Sequence, residues 1–136
     1  MHRLTFVVRH FFFYGTLRPG QRNHAVFLDG RPGVIHVGGG LTVERFSMLA
    51  AGFPYVLREP ARDRIRGDVF LIRSARAVRA LDALEGHTGR AEGYRREIVP
   101  VRMDQRVQIP CWTYIHYGSP LAEPVPGGDW LSRPGG

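Results

Sequence analysis

The chain has 136 residues, 43% of them hydrophobic, which is the length of a single domain, 1–136, with enough apolar material for a core. Its formal charge of +7 comes from 19 basic residues, every one an arginine, against 12 acidic ones; without lysine, Schiff-base chemistry and a P-loop are excluded. One cysteine, Cys111, excludes an internal disulfide and any zinc site built from several cysteines.

The 17 Gly and 10 Pro predict many short turns and a strand-rich fold. Met1-His2-Arg3 is followed by a mostly apolar stretch to Tyr14. Arg9 and His10 interrupt it, no small-residue cleavage site follows, and no run approaches the length of a membrane span. A soluble, cytoplasmic protein is expected. His10 to Tyr14 reads as a buried strand stopped at Gly15, with Pro19-Gly20 extending the turn. Asn23 is placed to cap a short helix through Asp29, after which Gly30 and Pro32-Gly33 break the chain. Val34 to Val43 reads as a strand interrupted by Gly38-Gly39-Gly40. Short strands are predicted over Tyr55 to Arg58 and Asp68 to Ile72.

Ser74 then caps the clearest helix, which runs to about Glu85 and ends at Gly86. Tyr94 to Met103 and Val107 to Tyr117 read as paired strands joined through Asp104-Gln105-Arg106. The tail, with Pro120, Pro124, Pro126, Gly127 and Gly128, reads as irregular. The sum is an α+β fold of about six mostly antiparallel strands and two helices.

Several sites are absent from the sequence: GxSxG, GxxxxGK, GxGxxG after a strand, and HExxH. The histidines, at 2, 10, 24, 36, 87 and 116, have no tight metal spacing and read as surface or packing residues, so no metal is expected. Cys111 lies in an apolar strand, where a thiol is inert. The arginines are spread along the chain, which reads as a solvated basic surface; a nucleic-acid surface is the alternative. Two segments stand out. On the helix from Ser74, Ala77, Val78, Leu81 and Leu84 form an apolar stripe, and Glu85 falls one turn after Leu81. A carboxylate at the edge of a core-facing stripe has its pKa raised by desolvation, which suits a general base; a structural ion pair with an arginine is the alternative. In Tyr14-Gly15-Thr16-Leu17, a glycine directly after a buried strand turns the backbone sharply and frees amides that can bind a carboxylate or oxyanion. An ordinary strand-ending turn is the alternative there.

These two segments coincide with two signature regions of one family. Phe13-Tyr14-Gly15-Thr16-Leu17-Arg18, with Gly20, Asn23 and His24, resembles the opening motif of γ-glutamylcyclotransferase-like proteins. Leu81-Asp82-Ala83-Leu84-Glu85-Gly86 resembles the segment with that family's catalytic glutamate. Gly52, Pro54, Gly67-Asp68-Val69-Phe70, Tyr94, Cys111-Trp112-Thr113-Tyr114 and Gly128-Asp129-Trp130 fit the family in the same order. The short form looks most like the bacterial members and the γ-glutamylamine cyclotransferases. The resemblance implies a small β-barrel flanked by helices, with a cavity at one side. It implies cyclisation of a γ-glutamyl amide or peptide to 5-oxoproline with release of the free amine, without metal or cofactor. Glu85 would be the general acid/base. Backbone amides of Gly15, Thr16 and Leu17 would hold the substrate's carboxylate or a developing oxyanion, with Tyr14, Tyr94 and Tyr114 lining the pocket. A non-catalytic module that binds a small carboxylated amine in the same pocket is the alternative. The expected partner is the small-molecule substrate, with no nucleic acid and no membrane; the oligomeric state stays open.

Overall fold

The computed structural model describes residues 7–50, 54–85, 93–104, 106–118 and 122–132, apart from the side chain of residue 85. The elements are β1 (His10–Phe13), α1 (Arg22–Phe27), β2 (Val34–Ala50), β3 (Pro54–Leu57), β4 (Asp63–Ile72), α2 (Ala75–Glu85), β5 (Gly93–Met103), β6 (Gln108–Tyr117), β7 (Glu123–Pro124) and a 3-10 turn, Trp130–Ser132. The strands run in the order β3-β2-β4-β1-β6-β5, and a β2–β5 pairing closes five of them into a barrel. All pairings are antiparallel except β1–β6, where Phe11 lies opposite Trp112.

Strand β1 shows why its sequence is a continuous apolar run. Alternate side chains point to opposite faces of a strand, and here both faces are covered. Phe12 packs inside the barrel with Phe46, Ile65, Val69, Val99, Val101, Cys111 and Ile115. Phe11 and Phe13 point outward, with Phe70, Ile72 and Tyr114, into a second core. That core is sealed by Leu17, by Leu28 just after α1, and by Leu81 of α2. Each phenylalanine of β1 is at most 3% exposed, and such burial contributes about 1.5–3 kcal/mol per side chain. The outer core is what seats α2 against the barrel: Leu81 is fully buried, with Ala77 and Val78 packed beside it. Its start is capped as expected, since the Ser74 hydroxyl accepts from the Ala77 amide at 3.1 Å.

Four expectations need correction. Strand β2 does not stop at Val43 but continues to Ala50. Its glycines bend it without ending it: the register shifts between His36 and Gly38, where φ is 150°. A Cβ on Gly40 would meet Val101 Cγ1 at 2.8 Å, so the glycine allows the close approach of β2 and β5 that closes the barrel. Beyond the barrel, Ser47 to Ala50 pair with β3, and Leu49 and Ala50 with β7. Strand β4 begins at Asp63, not Asp68. Asn23 is not a cap: α1 starts at Arg22, Gln21 sits at the cap position without a side-chain bond, and Asn23 Nδ2 instead donates to Thr16 Oγ1 at 2.7 Å. The tail is not merely irregular, because Val125 and Trp130 are buried against the barrel and the Arg66 amide donates to the Gly128 carbonyl at 2.9 Å. The proposed helix-ending Gly86 lies outside the described residues. Among the described residues no helix is long and apolar enough to cross a membrane.

Candidate active site

The turn after β1 is held by its own carbonyls. The Arg18 amide donates to Gly15 O at 3.0 Å, and the amides of Asn23 and His24 donate to Thr16 O at 3.0 and 3.1 Å. Nδ1 of His24 lies 3.2 Å from the Leu17 carbonyl. Acceptors of the turn are thus consumed within the chain. Among the described residues, none accepts a hydrogen bond from the amides of Gly15, Thr16 or Leu17. The turn presents donors, the arrangement that favours an anionic group. Gly15 is required sterically: a Cβ there would lie 2.6 Å from Pro54 Cγ.

This turn floors a cavity of about 240 Å³. Phe12, Phe13, Tyr14, Gly15, Thr16 and Leu17 supply one side, with Arg22 and Asn23 of α1 at its rim. Pro54 of β3, Leu84 of α2, Tyr94 of β5 and Tyr114 of β6 complete the wall. All six residues expected to bind substrate therefore line one cavity. Leu84 belongs to the predicted apolar stripe yet is 38% exposed, because it borders this opening and not the closed core. Glu85 is the last residue of α2, directly after Leu84; its side chain lies outside the described residues.

The aromatic walls are held by named contacts. The Tyr14 hydroxyl donates to the Tyr114 carbonyl at 2.6 Å. The Tyr114 hydroxyl donates to Asp82 Oδ1 at 2.7 Å. The Tyr94 hydroxyl donates to the Pro54 carbonyl at 3.2 Å, and its ring stacks on Tyr55 with His116 edge-on to both. Cys111 lies inside the barrel, where burial pushes its thiol up to about 12, so it is inert as expected. Among the described residues no group of three or more His, Cys, Asp or Glu is placed to hold a metal ion.

Arg18, one residue past the turn, is nearly buried. Its Nε donates to Asp68 Oδ2 at 2.8 Å and its Nη1 to Asp129 Oδ1 at 3.0 Å. Nε2 of His36 lies 3.0 Å from Asp68 Oδ1. Burial pushes the Asp129 carboxyl up, but the Ser132 hydroxyl, Arg18 and the Leu131 amide outweigh it and hold the group below its ordinary value. Sequence reasoning missed this brace, and also the Asp82 contact and Pro54 as a wall. Arg18 and Asp129 are 111 residues apart, and no local pattern signals such pairs.

The family model described as gamma-glutamyl cyclotransferase, AIG2-like, matches residues 11–132. A Methanocaldococcus jannaschii protein, provisionally named a gamma-glutamylcyclotransferase, is 31% identical over 105 residues, 77% of this chain and 82% of its own. The gamma-glutamylaminecyclotransferase of Rattus norvegicus is 35% identical over 99 residues, which is 69% of this chain but only 64% of the rat protein. The crystal structure of an AIG2-like protein from Mus musculus shares the fold with a TM-score of 0.71 at 29% identity, covering 93% of this chain and 84% of that one.

Proposed function

Because the chain belongs to the gamma-glutamyl cyclotransferase, AIG2-like family of enzymes, we propose that it cyclises a γ-glutamyl amide or peptide to 5-oxoproline and releases the free amine, with Glu85 as general acid/base. The observation that supports this reading best is the cavity itself. A donor-rich turn, three tyrosines and the last turn of α2 meet at one small, largely apolar opening.

The chemistry asks for little more. The α-amino group of the substrate is mostly protonated near neutral pH and must lose a proton to become a nucleophile. Glu85 takes that proton. The freed nitrogen attacks the γ-carbonyl carbon, a C–N bond forms, and negative charge collects on the carbonyl oxygen. Collapse of this intermediate breaks the bond to the leaving amine, to which Glu85 returns its proton; the second proton of the attacking nitrogen passes to Glu85 as the ring amide forms and leaves on the released amine, which departs as its ammonium. Ring closure is intramolecular, so the cavity's main task is to fold the γ-glutamyl chain until the reacting atoms are near attack distance. The amides of residues 15 to 17 would hold the α-carboxylate or the developing oxyanion. Tyr14, Tyr94 and Tyr114 would exclude water and shape the fold.

A panel of γ-glutamyl amides and peptides, assayed for 5-oxoproline release, tests the reading. Turnover of one or more is expected. Binding of a γ-glutamyl ligand without release of 5-oxoproline would leave a binding module for small carboxylated amines in its place.

A further inference from the structure

The carboxylate of Asp82 is the polar hub between α2 and the barrel. It sits three residues before Glu85, on the next turn back. Its Oδ1 accepts from the Tyr114 hydroxyl at 2.7 Å and from Arg96 Nε at 3.0 Å, and Arg96 Nη2 lies 3.4 Å from Oδ2. Arg96 is itself pinned: its guanidinium stands 4.4 Å from the Trp112 ring centroid and 5.7 Å from that of Phe11. The carbonyl of Tyr114 takes the hydroxyl of Tyr14. Two tyrosines of the cavity wall and the end of α2 are therefore one connected unit.

The remaining described contacts of α2 with the outer core are apolar, through Ala77, Val78 and Leu81. Apolar contacts hold a helix down but are not directional, whereas a fork of charge-assisted hydrogen bonds sets its position along and around its axis. Reacting groups need placement to about 0.5 Å, and an error near 1 Å costs about a hundredfold. We infer that Asp82 is a positioning residue, whose bonds to Tyr114 and Arg96 fix the last turn of α2, and with it position 85, against the Tyr114 wall of the cavity. The inference rests on the proposed cyclotransferase reading for its kinetic consequences.

The test is Asp82→Asn, which keeps the shape but turns an amide toward Arg96. For the folded variant, kcat should fall by about tenfold to a hundredfold while KM stays within about threefold. Arg96→Gln should act through the same contact, so the double variant should lose no more than the worse single one. Amide hydrogen exchange at residues 82 to 85 should quicken by about tenfold, with the barrel interior unchanged. If Asp82→Asn does not fold, Arg96→Lys carries the same measurements, since it keeps the charge and loses the fork. Unchanged kcat in the folded variant, activity lost only in proportion to unfolded protein, or additive effects in the double variant would overturn the inference. A wild type that releases no 5-oxoproline from any substrate sinks the functional reading alone, and the exchange rates then decide the positioning role.

Discussion

Alanine at position 15 would put a methyl carbon 2.6 Å from Pro54 Cγ. Pro54 belongs to β3, which is paired to β2 and cannot withdraw without moving the strand. Overpacking of this kind costs about 1–3 kcal/mol. Gly15→Ala should lower the unfolding free energy by that amount and weaken γ-glutamyl ligand binding by about tenfold or more, because the amides of the turn lose their aim. Calorimetric binding beside a urea melt checks both. Unaltered affinity would mean the turn does not hold the ligand. Glu85→Gln probes the proposed acid/base. It keeps size and removes proton acceptance, so turnover should fall by about two to four orders of magnitude with much smaller change in binding. A Glu85 held as a structural ion pair gives another pattern: several kcal/mol of stability lost, with full activity per folded molecule. Thermal melting alongside 5-oxoproline release separates the two.

At the scale of elements, the brace through Arg18 ties three of them together: the turn after β1, strand β4 through Asp68, and the tail through Asp129. The Asp129 carboxyl is held below its ordinary value. Such a group stabilises the fold fully above the unfolded aspartate pKa of about 3.9, and the contribution is lost as pH falls through the folded value. Wild type should therefore melt higher than Asp129→Asn at pH 7, and the gap should close on acidification below about pH 4. Melting curves of both proteins between pH 7 and 2.5 check this; a gap that persists at the acid end would place the stabilisation outside the ion pair. The same elements show what a sequence can and cannot tell. Strand β1, the Ser74 cap and the β5–β6 hairpin are local patterns of periodicity and turn chemistry, so they were legible. Tyr14 to Leu17 stood out through a motif, and they share one cavity with Tyr94 and Tyr114. The extension of β2 to Ala50, the docking of the tail, and the roles of Arg18, Pro54 and Asp82 depend on partners far away in sequence. No window of neighbouring residues contains those partners. Asn23 shows the reverse failure: a good local cap was recruited to bond Thr16 instead.

Across the whole molecule, the +7 charge is carried on a small barrel, and four of its arginines occupy paired positions on β2, β4 and β5. Arg45 stands directly opposite Arg64, and both Arg66 and Arg102 stand opposite Leu41. Of these four, Arg66 has a carboxylate partner, Asp104 at 2.7 Å. Like charges directly opposite on a sheet are destabilising, and net charge far from zero works against the compact state. Both penalties are long-ranged at low salt, where the Debye length is about 30 Å at 0.01 M, and are screened when it shortens to about 8 Å at 0.15 M. Tm should therefore rise with added sodium chloride over that range, whereas a fold held mainly by exposed ion pairs would show a fall. Arg45→Glu turns the repulsive pair into an attractive one. It gives up the bond from Arg45 Nη1 to the Arg62 carbonyl at 3.1 Å, an exposed contact of small value. The expected balance is a gain of about 0.2–1 kcal/mol at 0.01 M salt and a shallower rise of Tm with salt than in wild type. Melting both proteins at the two salt concentrations decides it. If wild type loses stability as salt is added, self-repulsion is not the dominant electrostatic effect, and these four arginines are neutral to the fold.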